Sequence, residues 1–329
     1  MLIVSIGAVA AGFLVLVWSA DRFVSGASAA AQLFGVPTLV VGVVIVGLGT
    51  SAPEMLVSGI ATWTGNSDIA VGNALGSNIT NIGLIIGLTA IFYPLKVRSR
   101  IIKREMPLLW VAMILAFGLM QDGVLSRLDG LLLISGFVAL LAWSLMEVTS
   151  QRDDILAAEF SAELSTDMSK STALMWLGIG LVLLVASSRV LVWGAVELAH
   201  LLGVADLLIG LTVMAIGTSL PELAASVVAA RKREYDIAVG NVLGSNMFNL
   251  LAVMAIPGLM RPGPFDPHAL TRDFPVMAVL TILLLLCASN WTLHKEGQVT
   301  RIEGGLVLAV YLGYIVYLGA TATESQWAP

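Results

Sequence analysis

The chain has 329 residues, of which 58% are hydrophobic and only 12% are charged, compared with about 25% charged residues in an ordinary soluble domain. With a mean hydropathy of +0.93, this composition excludes a soluble globular enzyme, because the charged residues are too few to cover so apolar a core. The net charge of −5 argues against nucleic acid as a partner, since nucleic acid selects basic surfaces. Cys287 is the single cysteine, which excludes an internal disulfide and a thiolate metal cluster.

Ten apolar stretches have about the 20 residues that a membrane-spanning helix needs. They are residues 2-20, 37-64, 69-93, 105-121, 125-147, 171-200, 205-230, 236-260, 274-290 and 302-320. The first is expected to remain in the membrane rather than act as a signal peptide, because no basic residue precedes it. The sequence therefore predicts an all-α polytopic membrane protein with about 10 transmembrane helices.

The loops between these stretches fall on two sides that differ in basic residues. Thirteen Lys and Arg residues lie on one side and three on the other, with Arg189 left out because it falls inside a predicted span. The positive-inside rule assigns the richer side to the cytoplasm. Both termini are then predicted to face outward, into the periplasm if the protein lies in a bacterial inner (plasma) membrane.

An internal repeat is the clearest organisational signal. Residues 41-88 align without a gap on residues 209-256, at an offset of 168 positions and with 19 identities. The matched motifs are GTSAPE (49-54) with GTSLPE (217-222), and DIAVGNALGSNITN (68-81) with DIAVGNVLGSNMFN (236-249). Five spans per half place the second copy upside down relative to the first. Inverted repeats are typical of secondary transporters, whose ion sites lie between the repeats near the bilayer midplane.

This symmetry predicts three parts: an N-terminal five-helix repeat (1-148), a connector (149-170) and a C-terminal five-helix repeat (171-329). The connector is predicted to be cytoplasmic and contains five Asp and Glu residues. About twenty residues are too few for a folded domain, so a solvated linker is the simplest interpretation. A calcium-sensing role for it is the less favoured alternative.

Glu54 and Glu222 occupy equivalent positions near the middle of apolar stretches, where an ionisable side chain costs about 2.5 kcal/mol or more. Each follows a proline, Pro53 or Pro221, which removes a helical hydrogen bond and interrupts the helix. Interrupted helices at membrane depth are tolerated where they line a cavity enclosed by protein. The two carboxylates are therefore predicted to face a common ion site.

Polar residues recur at every fourth position around these glutamates, which places them on shared helix faces. They are Thr50, Glu54 and Ser58, then Asn73, Ser77 and Asn81, and their repeat mates Thr218, Glu222, Ser226, Asn241, Ser245 and Asn249. Carboxylate, hydroxyl, amide and carbonyl oxygens are hard ligands that suit Ca2+. Close packing of helices through small residues is the alternative role for any single Ser or Thr of this set.

Four other charged residues have structural interpretations. Asp68 and Asp236 are interpreted as N-caps of the helices that follow them, with attraction of cations at a mouth as the alternative. Arg22 and Arg189 are expected either to extend to the membrane surface or to be paired.

The two motif pairs resemble the alpha-repeats of the calcium/cation antiporter superfamily, and specifically those of Na+/Ca2+ exchangers. The chain looks most like the bacterial inner-membrane branch related to K+-dependent Na+/Ca2+ exchangers. The resemblance covers both halves and implies a ten-helix fold of two inverted five-helix repeats. Many exchangers of this superfamily have an aspartate where this chain has Asn249, which leaves the driving ion and the stoichiometry open.

The resemblance also implies a central site where one Ca2+ ion or several Na+ ions compete for the same ligands. By motif position, the implied metal ligands are Thr50, Ser51, Glu54, Ser77, Asn81, Thr218, Ser219, Glu222, Ser245 and Asn249, with carbonyls near Gly47 and Ala215. The first and sixth helices are expected to slide across the other eight to alternate access. A monomer can form the transport unit; self-association and K+ co-transport are left open, and no cofactor is expected.

The predicted function is therefore Na+/Ca2+ antiport by alternating access. Ca2+/H+ antiport is the alternative, because buried carboxylates can carry protons. A passive cation channel is less favoured, since channels arrange equivalent groups around an axis along the pore. An enzyme is not expected, because GTSAPE is not a nucleophile elbow and no His or Lys accompanies its serine as a base.

Overall fold

The computed structural model describes residues 2–98, 101–150, 168–201, 215–289 and 297–327. The helices in these segments are α1 (Leu2–Phe34), α2 (Thr38–Trp63), α3 (Ser67–Phe92), α4 (Met106–Leu119), α5 (Arg127–Ser150), α6 (Lys170–Leu201), α7 (Leu220–Arg231), α8 (Tyr235–Met260), α9 (Ala269–Ala288) and α10 (Arg301–Trp327). Among the described residues, all except α4 and α7 are long and apolar enough to cross a membrane. The predicted fold class is confirmed.

Two predicted features lie largely outside these segments. They are the connector, residues 149-170, and the first part of the predicted span 205-230. A π-helical turn, Ile101–Glu105, precedes α4, and a short helix, Ala215–Thr218, precedes α7. These preceding turns lengthen the helical segments to which α4 and α7 belong.

Helix α1 is longer than the predicted span 2-20, because it continues without interruption to Phe34. The sequence pattern breaks at the charged residue Asp21, but α1 does not. The Asp21 carboxylate lies 2.9 Å from Arg231 and 3.0 Å from Lys232. Both basic partners lie at the end of α7. A local hydropathy pattern cannot predict a contact with so distant a part of the chain.

The two arginines of α1 and α6 differ in their surroundings. The Arg22 guanidinium lies 5.9 Å from the ring centre of Trp18 and 5.2 Å from that of Trp176, which is within the range of a cation–π interaction. Arg22 is therefore paired, as expected. Arg189 is exposed on α6.

Both helices that contain a proline-glutamate motif are broken at the predicted place. In α2 the helical segment Gly47–Thr50 ends and a new one begins at Ala52, with Ser51 between them at φ −80° and ψ 0°. In the second repeat, Ser219 separates Ala215–Thr218 from α7 with φ −93° and ψ 9°. Each proline lies in the first turn of the second segment, where its missing N–H is tolerated.

Helices α1 and α6 are antiparallel and related by the 168-residue offset of the repeat. A Cβ on Gly12 would meet Leu191, and a Cβ on the equivalent Gly180 would meet Phe23, which is the equivalent of Leu191. Reciprocal contacts of this kind are what a twofold axis produces. Because the first helices of the two repeats run in opposite directions, the repeats are inverted.

Two short antiparallel strand pairs join loops of different repeats. The pairs are β1 (Leu95–Val97) with β4 (Gly297–Val299), and β2 (Val124–Leu125) with β3 (Gly263–Pro264). In the topology predicted from the sequence, the first pair joins two cytoplasmic loops and the second joins two outer loops. The strand pairing agrees with that division of the loops into two sides.

The helices of the two sequence motifs lie at the centre of the molecule. In the apolar window of α8, 89% of the residues are buried, and in that of α3, 72%. Only 17% are buried in the corresponding windows of α5 and α10, so these helices lie at the periphery. The polar residues that recur in α3 and α8 therefore face protein rather than lipid.

Candidate functional site

The centre of the site is formed by the glutamates of the two broken helices. Glu54 and Glu222 are each 1% exposed and lie in the first turn of the segment that follows the break. The unpaired N–H groups at such a helix start favour negative charge. The two broken helices meet here, because the hydroxyl of Ser51, three residues before Glu54, lies 3.4 Å from Glu222 Oε1.

Five buried oxygen atoms of the predicted ligands have no hydrogen-bond partner among the described residues. They are Glu54 Oε2, Glu222 Oε2, Asn81 Oδ1, Asn249 Oδ1 and Ser219 Oγ. A buried polar atom left without a partner costs about 1–3 kcal/mol, and more when it is charged. Four of these atoms can only accept and the Ser219 hydroxyl can also accept, so a cation would satisfy all five.

Contacts between the repeats bring these ligands together. The Ser51 hydroxyl lies 3.4 Å from Glu222 Oε1, and the Ser245 hydroxyl lies 3.3 Å from the carbonyl oxygen of Gly47. The segment that begins at Asn249 packs on α2, and the segment that begins at Asn81 packs on α7. Each repeat therefore contributes ligands to a cluster around the other repeat's glutamate.

Two asparagines of the polar stripes support the glutamates without pointing a free oxygen at them. Asn73 Nδ2 donates to the carbonyl of Glu54 at 3.1 Å and to Ser58 Oγ at 3.0 Å. Asn241 makes the same pair of bonds to the carbonyl of Glu222, at 3.2 Å, and to Ser226 Oγ, at 2.9 Å. These bonds fix α2 to α3 and α7 to α8 at the level of the site.

The helices change from α-helical to π-helical geometry at the two predicted amide ligands. A π-helical turn begins at Asn81 and another begins at Asn249. Single π-helical turns inside α-helices occur frequently at functional sites, because they redirect side chains that a regular helix would stagger. Nothing in the periodicity of the sequence predicts these turns.

The predicted ligands are buried, with one exception. Thr50, Ser51, Glu54, Ser77, Asn81, Ser219, Glu222, Ser245 and Asn249 are each at most 4% exposed. Thr218 is half-buried and lies on the wall of a cavity. Asn78 and Asn246, which bond to Asn249 and Asn81, are not among the predicted ligands. They are repeat mates of each other, and this identity between the repeats was the available signal.

A cavity of about 450 Å3 reaches the site from one side. Its inner end is lined by Ser77 and Thr218, and its wall includes Asp273 and Tyr314. Asp273 accepts hydrogen bonds from Arg272 Nε at 2.6 Å and from the Tyr314 hydroxyl at 2.8 Å. In the predicted topology this is the outer side.

On the opposite side, the first part of α2 packs tightly on α8. A Cβ on Gly244 would collide with the carbonyl of Val43, and a Cβ on Gly240 would lie 3.1 Å from the carbonyl of Leu39. Among the described residues, the closed face therefore lies where α2 packs on α8.

Asp68 and Asp236 are not N-caps, contrary to the prediction. Their helices begin one residue earlier, so both lie in the first turn and reach neighbouring loops instead. Asp236 pairs with Arg98 at 2.9 Å, and Asp68 accepts the backbone N–H of Asp266 at 2.8 Å. The backbone N–H of His268 lowers the pKa of the Asp266 carboxyl below its ordinary value.

Comparison with known proteins identifies relatives of this chain. The family described as sodium/calcium exchanger protein matches residues 4–146 and 172–320. The chain is 41% identical over 320 residues to the inner membrane protein YrbG of Escherichia coli, with 95% of this chain and 97% of YrbG covered. It is 30% identical over 352 residues to the sodium/calcium exchanger MaX1 of Methanosarcina acetivorans, with 93% and 96% covered.

A solved structure shows the same architecture. The structure of the sodium–calcium exchanger NCX_Mj, soaked with zero Na+ and Ca2+, aligns with a TM-score of 0.82 and 32% sequence identity, covering 96% of this chain and 99% of that one. The match extends over both repeats. The chain therefore belongs to the sodium/calcium exchanger family.

Proposed function

We propose that this cation antiporter exchanges Na+ for Ca2+ at the site between its two repeats. The observation that carries the proposal is the set of five buried, unpartnered oxygens around Glu54 and Glu222. The family membership supports Ca2+ and Na+ as the substrates. YrbG is named an inner membrane protein, and we extend that location to this chain, with both termini facing outward.

The chemistry of the ligands suits either cation. The proposed ion ligands are Thr50, Ser51, Glu54, Ser77, Asn81, Thr218, Ser219, Glu222, Ser245 and Asn249. Two carboxylates balance the charge of one Ca2+, and among the described residues no group of three or more His, Cys, Asp or Glu side chains is placed to hold a metal ion. The remaining ligands are neutral hard oxygens, which bind Na+ as well as Ca2+. Competition between the two ions for one set of ligands couples their transport.

A cavity on one face and close helix packing on the other fit alternating access. The cavity at Ser77 and Thr218 leads to one side, while α2 and α8 close the other. Exchange of these two arrangements between the repeats would present the same ligands to the opposite side. We propose residues 1-148 and 171-329 as the two halves that exchange roles, with residues 149-170 as a cytoplasmic link, and a monomer as the transport unit in the lipid membrane.

Proton coupling is the second candidate. It is favoured by the burial of both carboxylates, because a carboxyl group removed from water can carry a proton as well as bind a cation. In that case Ca2+ would exchange for protons at the same ligands. The two candidates share the site and differ only in the driving ion.

The test is 45Ca2+ uptake into sealed proteoliposomes loaded with Na+, with K+ or with a proton gradient. Glu54→Gln and Glu222→Gln keep the size of the side chains and remove the charge. Asp122→Asn is the matched control, because it also removes an acidic charge but at an exposed loop position. Uptake that needs internal Na+ and is lost in both Gln variants but not in the control supports the proposal.

Other outcomes have definite meanings. Uptake that follows the proton gradient alone would replace Na+ by H+ as the driving ion. Uptake that is unchanged in both Gln variants would contradict the site. An additional requirement for K+ beside Na+ would assign K+ as a co-substrate.

A further inference from the structure

Two asparagines next to the site hold the amide ligands of the opposite repeat. Asn249 Nδ2 donates to Asn78 Oδ1 at 3.1 Å, and Asn81 Nδ2 donates to Asn246 Oδ1 at 3.0 Å. All four side chains are at most 1% exposed, so water does not compete for these bonds. Each bond crosses from one repeat to the other.

The orientation of Asn78 is fixed by the backbone. Its Nδ2 donates to the carbonyl oxygen of Asn246 at 3.2 Å, and a carbonyl oxygen can only accept. Asn78 must therefore place its NH2 group on that carbonyl and its Oδ1 on Asn249. Because Asn78 presents an acceptor, Asn249 must present its NH2 group in turn.

These bonds determine which end of each amide ligand is left to face the site. With the NH2 groups of Asn249 and Asn81 committed, their Oδ1 atoms are turned away from these bonds, and both are buried without a partner. An amide turned the other way would present two N–H donors to a cation and repel it. A carboxylate at the same place would need no such orientation, because both of its terminal atoms are oxygens.

We propose that Asn78 and Asn246 are positioning residues, which turn the amide oxygens of Asn249 and Asn81 toward the bound cation. This inference rests on the proposed function, since it assumes that Asn81 and Asn249 bind the ion. It explains how neutral amides serve as reliable oxygen ligands in a site with only two carboxylates. Neither Asn78 nor Asn246 contacts the ion in this arrangement.

The test is equilibrium Ca2+ binding to the full-length purified protein, measured by isothermal titration calorimetry. Asn78→Leu keeps the side-chain size and removes both bonds. We expect it to weaken Ca2+ binding about tenfold or more, which corresponds to about 1.4 kcal/mol in binding free energy. In an Asn249→Asp background, the same Asn78→Leu change is expected to alter Ca2+ binding less than threefold, because a carboxylate needs no orienting partner.

A purely structural role gives a different pattern. If Asn78→Leu weakens binding equally with Asn249 and with Asp at position 249, or has no effect on binding, the inference is overturned. If Asn78→Leu or Asn249→Asp does not yield folded protein, the pseudo-symmetric cycle of Asn246→Leu with Asn81→Asp makes the same test. Failure of the unchanged protein to bind Ca2+ would instead contradict the proposed function.

Discussion

Arg98 and Asp236 form an ion pair at the closed face of the molecule, with 2.9 Å between Arg98 Nη1 and Asp236 Oδ2. Their equivalents 168 residues away are Asp266 and Asp68, which meet through the backbone N–H of Asp266 rather than through opposite charges. The same pair of positions thus carries a cation and an anion on one side and two acids on the other. The ion pair joins the loop after β1 to the start of α8, so it adds to the closure of that face.

Removing this ion pair is expected to favour opening of the face modestly. The Arg98 side chain is 66% exposed, and an exposed pair contributes about 0.2–1 kcal/mol, which corresponds to at most about a fivefold change in population. Arg98→Ala should raise by that factor the rate at which a polar thiol reagent labels Val43→Cys in a Cys287→Ser background. The charge swap Arg98→Asp with Asp236→Arg should restore slow labelling.

Lys96→Ala is the control for that experiment, since Lys96 is also exposed on the same segment and has no ion pair within the described residues. It should leave the labelling rate unchanged. Equal labelling rates in the parent, Arg98→Ala, the charge-swapped variant and Lys96→Ala would show that the ion pair does not contribute to closure.

Gly244 should be sensitive to substitution because it lies at the contact between α2 and α8. A Cβ on Gly244 collides with the backbone of Val43, and overpacking of this kind costs about 1–3 kcal/mol. Gly244→Ala is therefore expected to separate α2 from α8 and to raise Val43→Cys labelling about fivefold or more. Gly118→Ala, at an exposed position of α4 where the described residues leave space for a Cβ, should not raise it.

The comparison also ranks two effects in one assay. Because a backbone clash costs more than an exposed ion pair contributes, Gly244→Ala should increase labelling more than Arg98→Ala does. An increase for Gly118→Ala as large as that for Gly244→Ala would contradict the assignment of the closed face to α2 and α8.

Much of the fold and the site could be predicted from the sequence because the membrane restricts the alternatives. A proline before a glutamate in an apolar stretch predicts a broken helix, and the breaks lie at Ser51 and Ser219. The gapless offset of the repeat also predicts pairs of equivalent contacts, which the structure extends to Gly12 and Gly180, outside the region of clear identity. Local pattern and symmetry were sufficient for these features.

Features that depend on distant partners could not be predicted. The length of α1 and the role of Asp236 depend on Lys232 and Arg98, which local patterns do not connect to them. Asn78 precedes Asn81 by three residues and lies off the every-fourth-residue stripe, so periodicity assigns it no role. Its identity with Asn246 in both repeats was the available signal, but the hydrogen bond across the repeats gives that identity its meaning.

Ca2+ is expected to stabilise the protein against heat through the two glutamates. A ligand that binds only the native state raises the free energy of unfolding by about 2.7 kcal/mol when its concentration is 100 times the dissociation constant. This increase appears as a higher Tm in a thermal unfolding assay in detergent. Glu54→Gln and Glu222→Gln should abolish this increase. Without Ca2+, both variants should be at least as stable as the parent, because each loses a buried charge with an unpartnered oxygen.

The matched control is again Asp122→Asn, whose Tm should rise with Ca2+ as the parent's does. A Ca2+-dependent increase in Tm that persists in Glu54→Gln would place the cation elsewhere.

Asp273 is expected to tune the electrostatics of the cavity that leads to the site. Its carboxylate neutralises Arg272, with contacts of 2.6 and 3.1 Å, so Asp273→Asn leaves a positive charge on the cavity wall. That charge should repel incoming cations and raise the apparent KM for Ca2+ several-fold at low ionic strength. Because salt screens exposed charges over about 10 Å at 0.1 M, the increase should shrink when choline chloride is added.

The double variant Arg272→Gln with Asp273→Asn separates charge from packing. In both proteins the Tyr314 hydroxyl loses its carboxylate acceptor and is left with the weaker amide oxygen, but only the single variant leaves an unpaired cation. The double variant should therefore regain an apparent KM within about twofold of the parent, although its Tm should stay lower than the parent's because hydrogen bonds to a charged group are stronger than those to an amide. A salt-independent increase in KM that is equal in both variants would show that Asp273 acts by holding α9 against α10 rather than through the potential of the cavity.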